Sequence, residues 1–436
     1  MNYLQARDYL KNLTKFGINL GLDRIKELLR RLGSPHLQLK VIHVGGTNGK
    51  GSTTSMIASI LRAAGYKVGT FTSPHLHRYT ERCCINGEEI KEQQVADLVN
   101  QLKPHLEDMC AAGFEHPTEF EVSTAMACCY FHRQRVDFAV LEVGLGGEID
   151  STNVVQPLVS VITNVSLDHM DYLGHTIEEV ARVKAGIIKE NVPVVTAARE
   201  PEALAVIKET CLKRSAPLTI VGRDITWQAG KTGAHHRGQH LAITGRLNHY
   251  PDIYLPLLGL HQQVNAATAV AALEILSLQG ITITPDIVRR GLAGVKWPGR
   301  FEILPGQPAV VLDGAHNAAG ARSLVQTLKQ QFAGRRMVLV LGMLSDKERQ
   351  KVIDALVPLA AAVVVTKPNN PRCGNWRQVA DWARRYIPRV YVREQVPRAV
   401  DTALDIAGLQ DVVCVTGSLY MLAEAREYLL KLKNEE

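Results

Sequence analysis

Residues 39–52 read LKVIHVGGTNGKGS, and this stretch decides the fold class. Its first part is a short apolar, β-branched run that ends in glycines, which is typical of a buried parallel strand. The following segment, STTSMIASILRAAG (52–65), places Met56, Ile60 and Ala64 on one face at helical spacing. A strand, a glycine-rich turn and a helix in this order predict a phosphate-binding corner of an α/β domain.

The glycine-rich loop does not match the strict phosphate-loop pattern, which has a Gly six residues before the Lys and a hydroxyl directly after it. Val44 occupies the first of these positions and Gly51 follows Lys50, so the hydroxyl comes only at Ser52. The backbone amides of the loop can still converge on phosphate oxygens, and Lys50 can counter the β- and γ-phosphate charge. The strand–helix context disfavours the alternative, a plain turn with an exposed lysine.

Strand-like runs recur along the chain and alternate with helical stretches such as the one near 119–134. In the first half they are KVGTFTSP after the first helix, VDFAVLEV (136–143) and LVSVITNV (158–165). Such alternation predicts a doubly wound parallel sheet in the α/β class. Residues 222–256 differ, because they are polar and rich in Gly and His, and they predict a β-rich excursion.

The segment Trp297-Pro298-Gly299 is the best candidate for a domain boundary, because Pro and Gly break both kinds of regular structure. Beyond it the alternation of strands and helices begins again, with strands expected at 310–313, 337–342, 362–366 and 412–417. We therefore expect a phosphate-loop domain over 1–296 and a smaller Rossmann-like α/β domain over 297–436, with the active site in the cleft between them.

The bulk composition excludes several classes of protein. Of the 436 residues, 46% are hydrophobic and 21% charged, and the formal charge is +7 with dispersed basic residues. This pattern favours anionic ligands and disfavours nucleic acid. The N-terminus has no signal core and the chain has no membrane-length apolar run. The eight scattered cysteines are expected to be reduced thiols, which indicates a cytoplasmic protein. We also expect a monomer and no membrane contact.

Acidic and imidazole side chains follow the predicted strands. Glu142 ends the run VDFAVL, at the sheet edge where parallel strands bind ligands, and it is a candidate magnesium ligand. Asp168 and His169 close the run LVSVITNVSL and could reach the same edge. The main alternatives are a solvated strand-end charge for Glu142 and a capping histidine for His169. Lys184 lies in a helical stretch where an exposed lysine is the ordinary explanation.

A second group of polar residues lies beyond the boundary. Residues 313–317, DGAHN, fall between a predicted strand and a helix, and Arg300 lies close to the boundary. These residues could contact a nucleotide bound between the domains. A kinase, a nucleotide switch and a ligase are all compatible with these residues and their spacing.

Nine motifs run in order over nearly the whole chain: GTNGKGS (46–52), FTSPHLHRYTER (71–82), LEVGLGG (141–147), SLDHMDYLG (166–174), KAGIIK (184–189), HQQVNAATA (261–269), WPGRFE (297–302), DGAHN (313–317) and VTGSLY (415–420). With these motifs the chain resembles folylpolyglutamate synthases and dihydrofolate synthases, which belong to the Mur-ligase-like superfamily. The SPHL segment and the WPGR–DGAHN pair point to the folate branch of that superfamily.

This resemblance implies ATP-dependent addition of L-glutamate to a folate, and also to dihydropteroate, through an acyl phosphate with release of ADP and phosphate. It implies two magnesium sites, and it implies that the Lys184 position is carbamylated. The implied ATP contacts are Gly49, Lys50, Gly51, Ser52, Asn265, Arg300 and Asp313. The implied metal ligands are Ser73, Glu142 and His169. The implied substrate contacts are Pro74, His75, Phe120 and Asp150 for the pterin, and His316 and Ser418 near the incoming glutamate.

Two positions depart from the family pattern. Family members often carry Arg where this chain has Glu148 and Pro where it has Ala318. The first change reverses a charge near the implied pterin region, so it bears on substrate preference. Two alternatives remain at this stage: another Mur-like amino-acid ligase, and a phosphate-loop nucleotide switch without ligase chemistry.

Overall fold

The structure is a computed structural model that describes residues 1–17, 19, 21–232 and 238–435. This part of the chain divides into two compact units. Unit 1 comprises 1–230, 241–254 and 263–295, and unit 2 comprises 231–240, 255–262 and 296–436.

Unit 1 is built on an eight-stranded sheet with helices on both faces. Its strands are β1 (Val41–Gly45), β2 (Val68–Phe71), β3 (Cys83–Ile85), β4 (Glu88–Glu89), β5 (Phe138–Glu142), β6 (Pro157–Ile162), β7 (Val194–Thr196) and β8 (Leu218–Ile220). Its helices up to β8 are α1 (Tyr3–Leu13), α2 (Asp23–Arg31), α3 (Lys50–Ala63), α4 (Glu92–Ala111), α5 (Glu119–Arg133), α6 (Met170–Leu173), α7 (Ile177–Ala185) and α8 (Pro201–Lys213).

The strand order of this sheet brings the functional strand ends together. It runs β4-β3-β2-β5-β1-β6-β7-β8, and the pairs are parallel except those of β3 with β2 and with β4. The strand that leads into the glycine loop therefore lies between β5 and β6, so all three carboxyl ends meet at one edge. All five residues of β1 are buried, as expected for a parallel strand covered on both faces.

Two apolar cores lie against one face of this sheet. One core joins α1, α2, α4 and α5 to the sheet, with Phe71 and Leu141 among its members. The other joins α7 and α8 to the same face, because the strand register places its members Ile162 and Val194 on the side of Leu141. Ile42 points to the other face and is buried, and α3 contacts β1, β2 and β5. The doubly wound arrangement predicted from the strand–helix alternation is confirmed.

A three-stranded sheet in the order β11-β10-β9 follows, formed by β9 (Thr226–Thr232), β10 (Gln239–Thr244) and β11 (His249–Leu255). The predicted β-rich excursion over 222–256 is thus confirmed for its described residues, and 233–237 lie outside them. Two helices come next, α9 (Leu260–Leu278) and α10 (Pro285–Ala293).

Unit 2 contains a six-stranded sheet in the order β12-β13-β17-β14-β15-β16, parallel except for the β12–β13 pair. Its strands are β12 (Glu302–Leu304), β13 (Ala309–Leu312), β14 (Met337–Leu341), β15 (Ala362–Val365), β16 (Val390–Val392) and β17 (Val412–Thr416). Its helices are α11 (Ala318–Gln331), α12 (Arg349–Leu356), α13 (Gln378–Ala383), α14 (Val396–Ile406) and α15 (Leu419–Glu435).

Two expectations from composition can be compared with this fold. All eight cysteines are free thiols, as expected. Within the described ranges, the structure contains no helix with the length and apolar character needed to cross a membrane.

The turn between β10 and β11 is anchored to α9 by one buried carboxylate. Glu274 accepts hydrogen bonds from the backbone amides of Arg246 (2.8 Å), Leu247 (3.2 Å) and Asn248 (3.1 Å), and from the Tyr250 hydroxyl (3.0 Å). Only 5% of the residue is exposed, so these donors have little water to replace the carboxylate.

We expect Glu274→Ala to lower the thermal midpoint by roughly 5–10 °C, because several buried donors lose their acceptor. Tyr250→Phe is the matched control; it removes a single hydrogen bond and should lower the midpoint by only about 2–4 °C. Differential scanning calorimetry measures both. Equal midpoints for Glu274→Ala and the unmodified protein would show that the anchor contributes nothing.

Candidate active site

The glycine loop connects β1 to the first turn of α3. Gly49 is the N-cap of α3 and has a φ of 84°, a left-handed conformation that favours glycine. A Cβ at this position would lie 2.5 Å from Oδ1 of Asn265, which projects from α9. The close approach therefore requires glycine, and it places the predicted ATP-contact residue Asn265 directly against the loop.

Lys50 is the first residue of α3, and its side chain folds back over the loop. Its Nζ donates to the carbonyl oxygens of Gly46 (3.2 Å) and Thr47 (3.1 Å). The ammonium group thus lies above the backbone turn whose amides precede the positive end of the helix dipole. This combination suits an anionic phosphate group.

Residues after β6 hold the loop in place. Thr163 Oγ1 donates to the carbonyl oxygen of Asn48 (2.7 Å), and Oδ1 of Asn164 accepts from the Asn48 amide (2.9 Å). Thr47 Oγ1 donates to the Ser166 carbonyl (3.1 Å) and accepts from the Ser166 amide (3.0 Å). Nothing in the order of residues pairs 47–48 with 163–166, so the sequence gives no sign of this clamp.

The clamp also corrects the predicted end of the strand. We expected Asp168 and His169 to close a strand over 158–165, but β6 ends at Ile162 and both residues lie further along a loop. The Thr163 amide still donates to the Gly45 carbonyl (2.9 Å), and beyond it the polar groups bond to the glycine loop. His169 has a φ of 50° and caps the short α6, and its amide donates to Oδ1 of Asp168 (2.9 Å).

Two of the predicted metal ligands are in contact. Glu142 ends β5 and is 5% exposed, and its Oε2 accepts from the Ser73 amide (3.2 Å) after the neighbouring strand β2. Carboxylate and hydroxyl oxygens are hard donors that suit Mg²⁺, and Glu142 and Ser73 carry one of each. The third predicted ligand, His169, lies beside Asp168, with 3.9 Å between Nε2 and Oδ1. No cluster of three or more His, Cys, Asp or Glu side chains suited to a metal occurs in the described part of the chain.

Lys184 is buried, so the expectation of an exposed lysine is wrong. It is 3% exposed, and its Nζ donates to the Gly46 carbonyl of the glycine loop (3.1 Å). Burial, followed by the nearby Lys50 charge, lowers the pKa of its ammonium group to about 7, against the opposing effect of Asp168 and Asp150. The helical period was the available signal, because Val180, Ala181 and Lys184 share the buried face of α7.

One predicted pterin contact, His75, is linked through Arg82 to the start of α5. His75, next to Pro74 in the SPHL segment, accepts at Nδ1 from Nε of Arg82 (3.1 Å), and Arg82 pairs with Glu119 (3.0 Å). Burial, followed by the Arg82 charge, lowers the pKa of His75 to about 4, so the ring is neutral near pH 7. Because Nδ1 accepts, the ring proton is on Nε2.

Phe120 is half-buried and Asp150 is buried. The Phe120 ring packs against Phe71, with 5.7 Å between the ring centroids. Asp150 accepts at Oδ2 from the Leu145 amide (2.8 Å) and at Oδ1 from the amide (3.0 Å) and hydroxyl (2.5 Å) of Thr152. Burial raises the pKa of Asp150. Its contacts make it an organiser of the 144–150 loop, a role that the sequence did not indicate. Glu148, on that loop, is exposed.

In unit 2 the remaining predicted residues lie on neighbouring strand ends. The Asp313 carboxylate accepts from the amides of Phe301 (2.8 Å) and Ala315 (2.8 Å), at the end of β13. His316 Nδ1 donates to the Gly314 carbonyl (2.8 Å), which fixes the ring tautomer. Ser418 follows the adjacent strand β17 and is 3% exposed, and its Oγ is buried without a hydrogen-bond partner.

His261 was missed by the sequence analysis. It lies near Asp313 and Arg300 within unit 2, and burial lowers its pKa; Asp313 raises that pKa and Arg300 lowers it. Its Nδ1 is buried without a hydrogen-bond partner. The motif HQQVNAATA contained this residue, but only the position of α9 shows which groups it faces.

Comparisons with known proteins identify two domains in the chain. A model of the Mur ligase middle domain matches residues 44–273, and a model of the Mur ligase glutamate ligase domain matches residues 299–419. A dihydrofolate synthase/folylpolyglutamate synthase of Bacillus subtilis (strain 168) is 40% identical over 430 residues, which are 98% of this chain and 99% of that protein.

Solved structures give the same result. A structure of Mycobacterium tuberculosis folylpolyglutamate synthase complexed with ADP and AMPPCP matches with a TM-score of 0.91 and 34% identity, over 98% of both chains. A structure of Escherichia coli FolC in complex with DHPP and ADP matches with a TM-score of 0.89 and 32% identity, over 99% of both chains.

The two domain matches define the class of protein, a Mur-type ligase, and so exclude a nucleotide switch without ligase chemistry. Within that class, the full-length matches show that the chain belongs to the folylpolyglutamate synthase/dihydrofolate synthase family. It is an ATP-dependent ligase, and the family predicted from the sequence motifs is confirmed.

We expect Gly49→Ala to weaken binding of a non-hydrolysable ATP analogue by roughly ten-fold or more, because the new Cβ displaces Asn265 and strains the loop. Gly65→Ala is the matched control, since Gly65 also has a positive φ (93°) but has no atom near a built Cβ. Titration calorimetry should show near-normal affinity for this control. Equal affinities of the two variants would contradict the packing argument.

Proposed function

We propose that this enzyme adds L-glutamate to folates and also to dihydropteroate. The observation that carries the proposal is the joint position of the glycine loop, the Ser73–Glu142 contact and buried Lys184 at one edge of the unit 1 sheet. Support for both substrates comes from the Bacillus subtilis relative, whose name gives both activities, and from the Escherichia coli structure with bound DHPP.

The first chemical step of the proposal is activation of a carboxylate. A carboxylate oxygen of the folate or dihydropteroate attacks the γ-phosphorus of ATP, the bond to the β-phosphate oxygen breaks, and an acyl phosphate and ADP form. Gly49, Gly51 and Ser52 offer backbone amides and a hydroxyl to the phosphates, and Lys50 neutralises charge on the transferring group. Asn265, Arg300 and Asp313 are proposed ATP contacts.

Ser73, Glu142 and His169 are the residues proposed to hold magnesium, in two sites that share Glu142. Mg²⁺ held there would offset the negative charge of the ATP phosphates. Glu142 and Ser73 supply the hard oxygen donors at this edge, and the buried position of Glu142 limits competition by water.

Lys184 is proposed to be carbamylated. Its neutral amine attacks carbon dioxide, a C–N bond forms, and the nitrogen loses a proton to solvent, which leaves an anionic carbamate. Carbon dioxide reacts only with the unprotonated amine, and the pKa of about 7 makes that form abundant at neutral pH. The modification converts a buried cation next to the glycine loop into an anion that can support a metal site.

The second chemical step is amide formation. The glutamate amine attacks the acyl carbon, phosphate leaves, and the ammonium proton is lost. We propose that His316 and Ser418 lie near the incoming glutamate, and that Pro74, His75, Phe120 and Asp150 form or organise the pterin site. A neutral His75 with its proton on Nε2 can donate a hydrogen bond to a pterin carbonyl or ring nitrogen. That the enzyme is a cytoplasmic monomer remains a prediction.

We expect Lys50→Ala to abolish ATP-dependent ligation, by at least about 100-fold in kcat/KM, while the protein stays folded. ADP release is measured with dihydropteroate and with tetrahydrofolate separately, each with glutamate, alongside circular dichroism. Release with only one acid would limit the enzyme to that activity. Release with neither acid, or full activity of Lys50→Ala, would refute the proposal.

We expect Lys184→Arg to lose most of its activity, since a guanidinium group cannot form the carbamate. In the unmodified enzyme, ¹³C-bicarbonate should give a carbamate carbon signal in the NMR spectrum that weakens as the pH falls below about 7, where the amine is protonated. Activity should fall in buffer freed of carbon dioxide and return with bicarbonate. A carbamate signal of equal strength in Lys184→Arg would assign the modification to another residue.

A further inference from the structure

The turn at 299–301 in unit 2 holds Arg300 in a strained backbone. Gly299 has a φ of 73° and Phe301 a φ of 45°, so both neighbours of Arg300 are left-handed. A bulky residue such as Phe rarely adopts this conformation, and it persists only where the surrounding contacts impose it. Phe301 is buried at 3% exposure.

Three hydrogen bonds impose the turn. Oε2 of Glu302 accepts from the Gly299 amide (2.9 Å), and Oδ2 of Asp313 accepts from the Phe301 amide (2.8 Å). The Gly299 carbonyl accepts from the Gly314 amide (3.0 Å). The turn and the residues after β13 are thereby held together as one backbone unit.

Arg300 is half-buried beside these two backbone segments. Its Nη1 donates to the Gly299 carbonyl (3.2 Å), and a Cβ built on Gly314 would lie 2.3 Å from the same nitrogen. The position of the guanidinium group therefore depends on the backbone at both Gly299 and Gly314. A small change in the turn would move Arg300 relative to Asp313.

A side chain of the last helix fixes the Glu302 carboxylate, which accepts the hydrogen bond from the Gly299 amide. From α15, Arg426 donates to both carboxylate oxygens of Glu302: Nε lies 3.0 Å from Oε1 and 2.9 Å from Oε2, and Nη2 lies 2.9 Å from Oε1. The two side chains are only 19% and 21% exposed. A bidentate contact of this kind fixes the plane of the carboxylate.

We propose that the Arg426–Glu302 ion pair is a positioning element for ATP: it fixes the 299–301 turn and thereby the arrangement of Arg300 and Asp313. The inference rests on the proposed function, in which these two residues contact ATP. Arg426 is a positioning residue, because it acts through Glu302 and the Gly299 amide. A pair that merely attached α15 to the sheet would affect stability and leave the affinity for ATP unchanged.

The test compares Arg426→Met with Arg426→Lys and with Lys431→Met. Lys431 is the matched control, since it forms an exposed ion pair with Glu427 on the same helix (2.8 Å). We expect Arg426→Met to raise KM for ATP by roughly ten-fold with a smaller change in kcat, and Arg426→Lys to recover part of that loss. Lys431→Met should leave KM unchanged, and thermal midpoints are recorded for all three variants.

A double-mutant cycle with Arg300→Met identifies the route of the effect. If Arg426 acts through the turn, adding Arg426→Met to Arg300→Met should raise KM for ATP little further, because interacting residues are not additive. Multiplicative effects, or a lowered midpoint with normal KM in Arg426→Met, would overturn the inference. A normal KM for ATP in Arg300→Met would instead refute the proposed contact between Arg300 and ATP.

Discussion

The site in unit 1 depends on one set of hydrogen bonds, those between the glycine loop and the residues after β6. The amides of Thr47 and Asn48 both donate to Asn164, and the Asn48 carbonyl accepts from Thr163. These bonds fix the loop before Gly49, and the proposed phosphate contacts begin at Gly49. The loop is thus fixed by its neighbour, the segment that follows the end of β6 at Ile162.

Buried charges around this loop follow from the same arrangement. Glu142 and Lys184 are each nearly inaccessible to solvent, and burial of an ionised group is unfavourable without partners. The lowered pKa of Lys184 is one consequence, because the neutral amine is easier to bury. The neutral amine is also the form that reacts with carbon dioxide, so the burial that disfavours a charged lysine favours the proposed modification.

In unit 2 as well, hydrogen bonds from other segments fix the backbone next to a proposed ligand contact. The strained turn at 299–301 carries Arg300, and its conformation is imposed by the carboxylates of Glu302 and Asp313. Asp313 therefore has a structural contact in addition to its proposed contact with ATP. Strain of this kind fixes a side chain before the ligand arrives, so less ordering is needed when ATP binds.

The sequence by itself determined the fold class, the order of strands and helices, the glycine loop and, through its motifs, the family. Apolar periodicity and glycine placement are local properties, so they can be read along the chain. The tertiary structure alone decided that Lys184 is buried against Gly46, that 163–166 clamp the loop, and that Arg426 reaches Glu302. Each of these contacts joins residues far apart in the chain, and such pairings depend on strand order and helix packing, which no local pattern specifies.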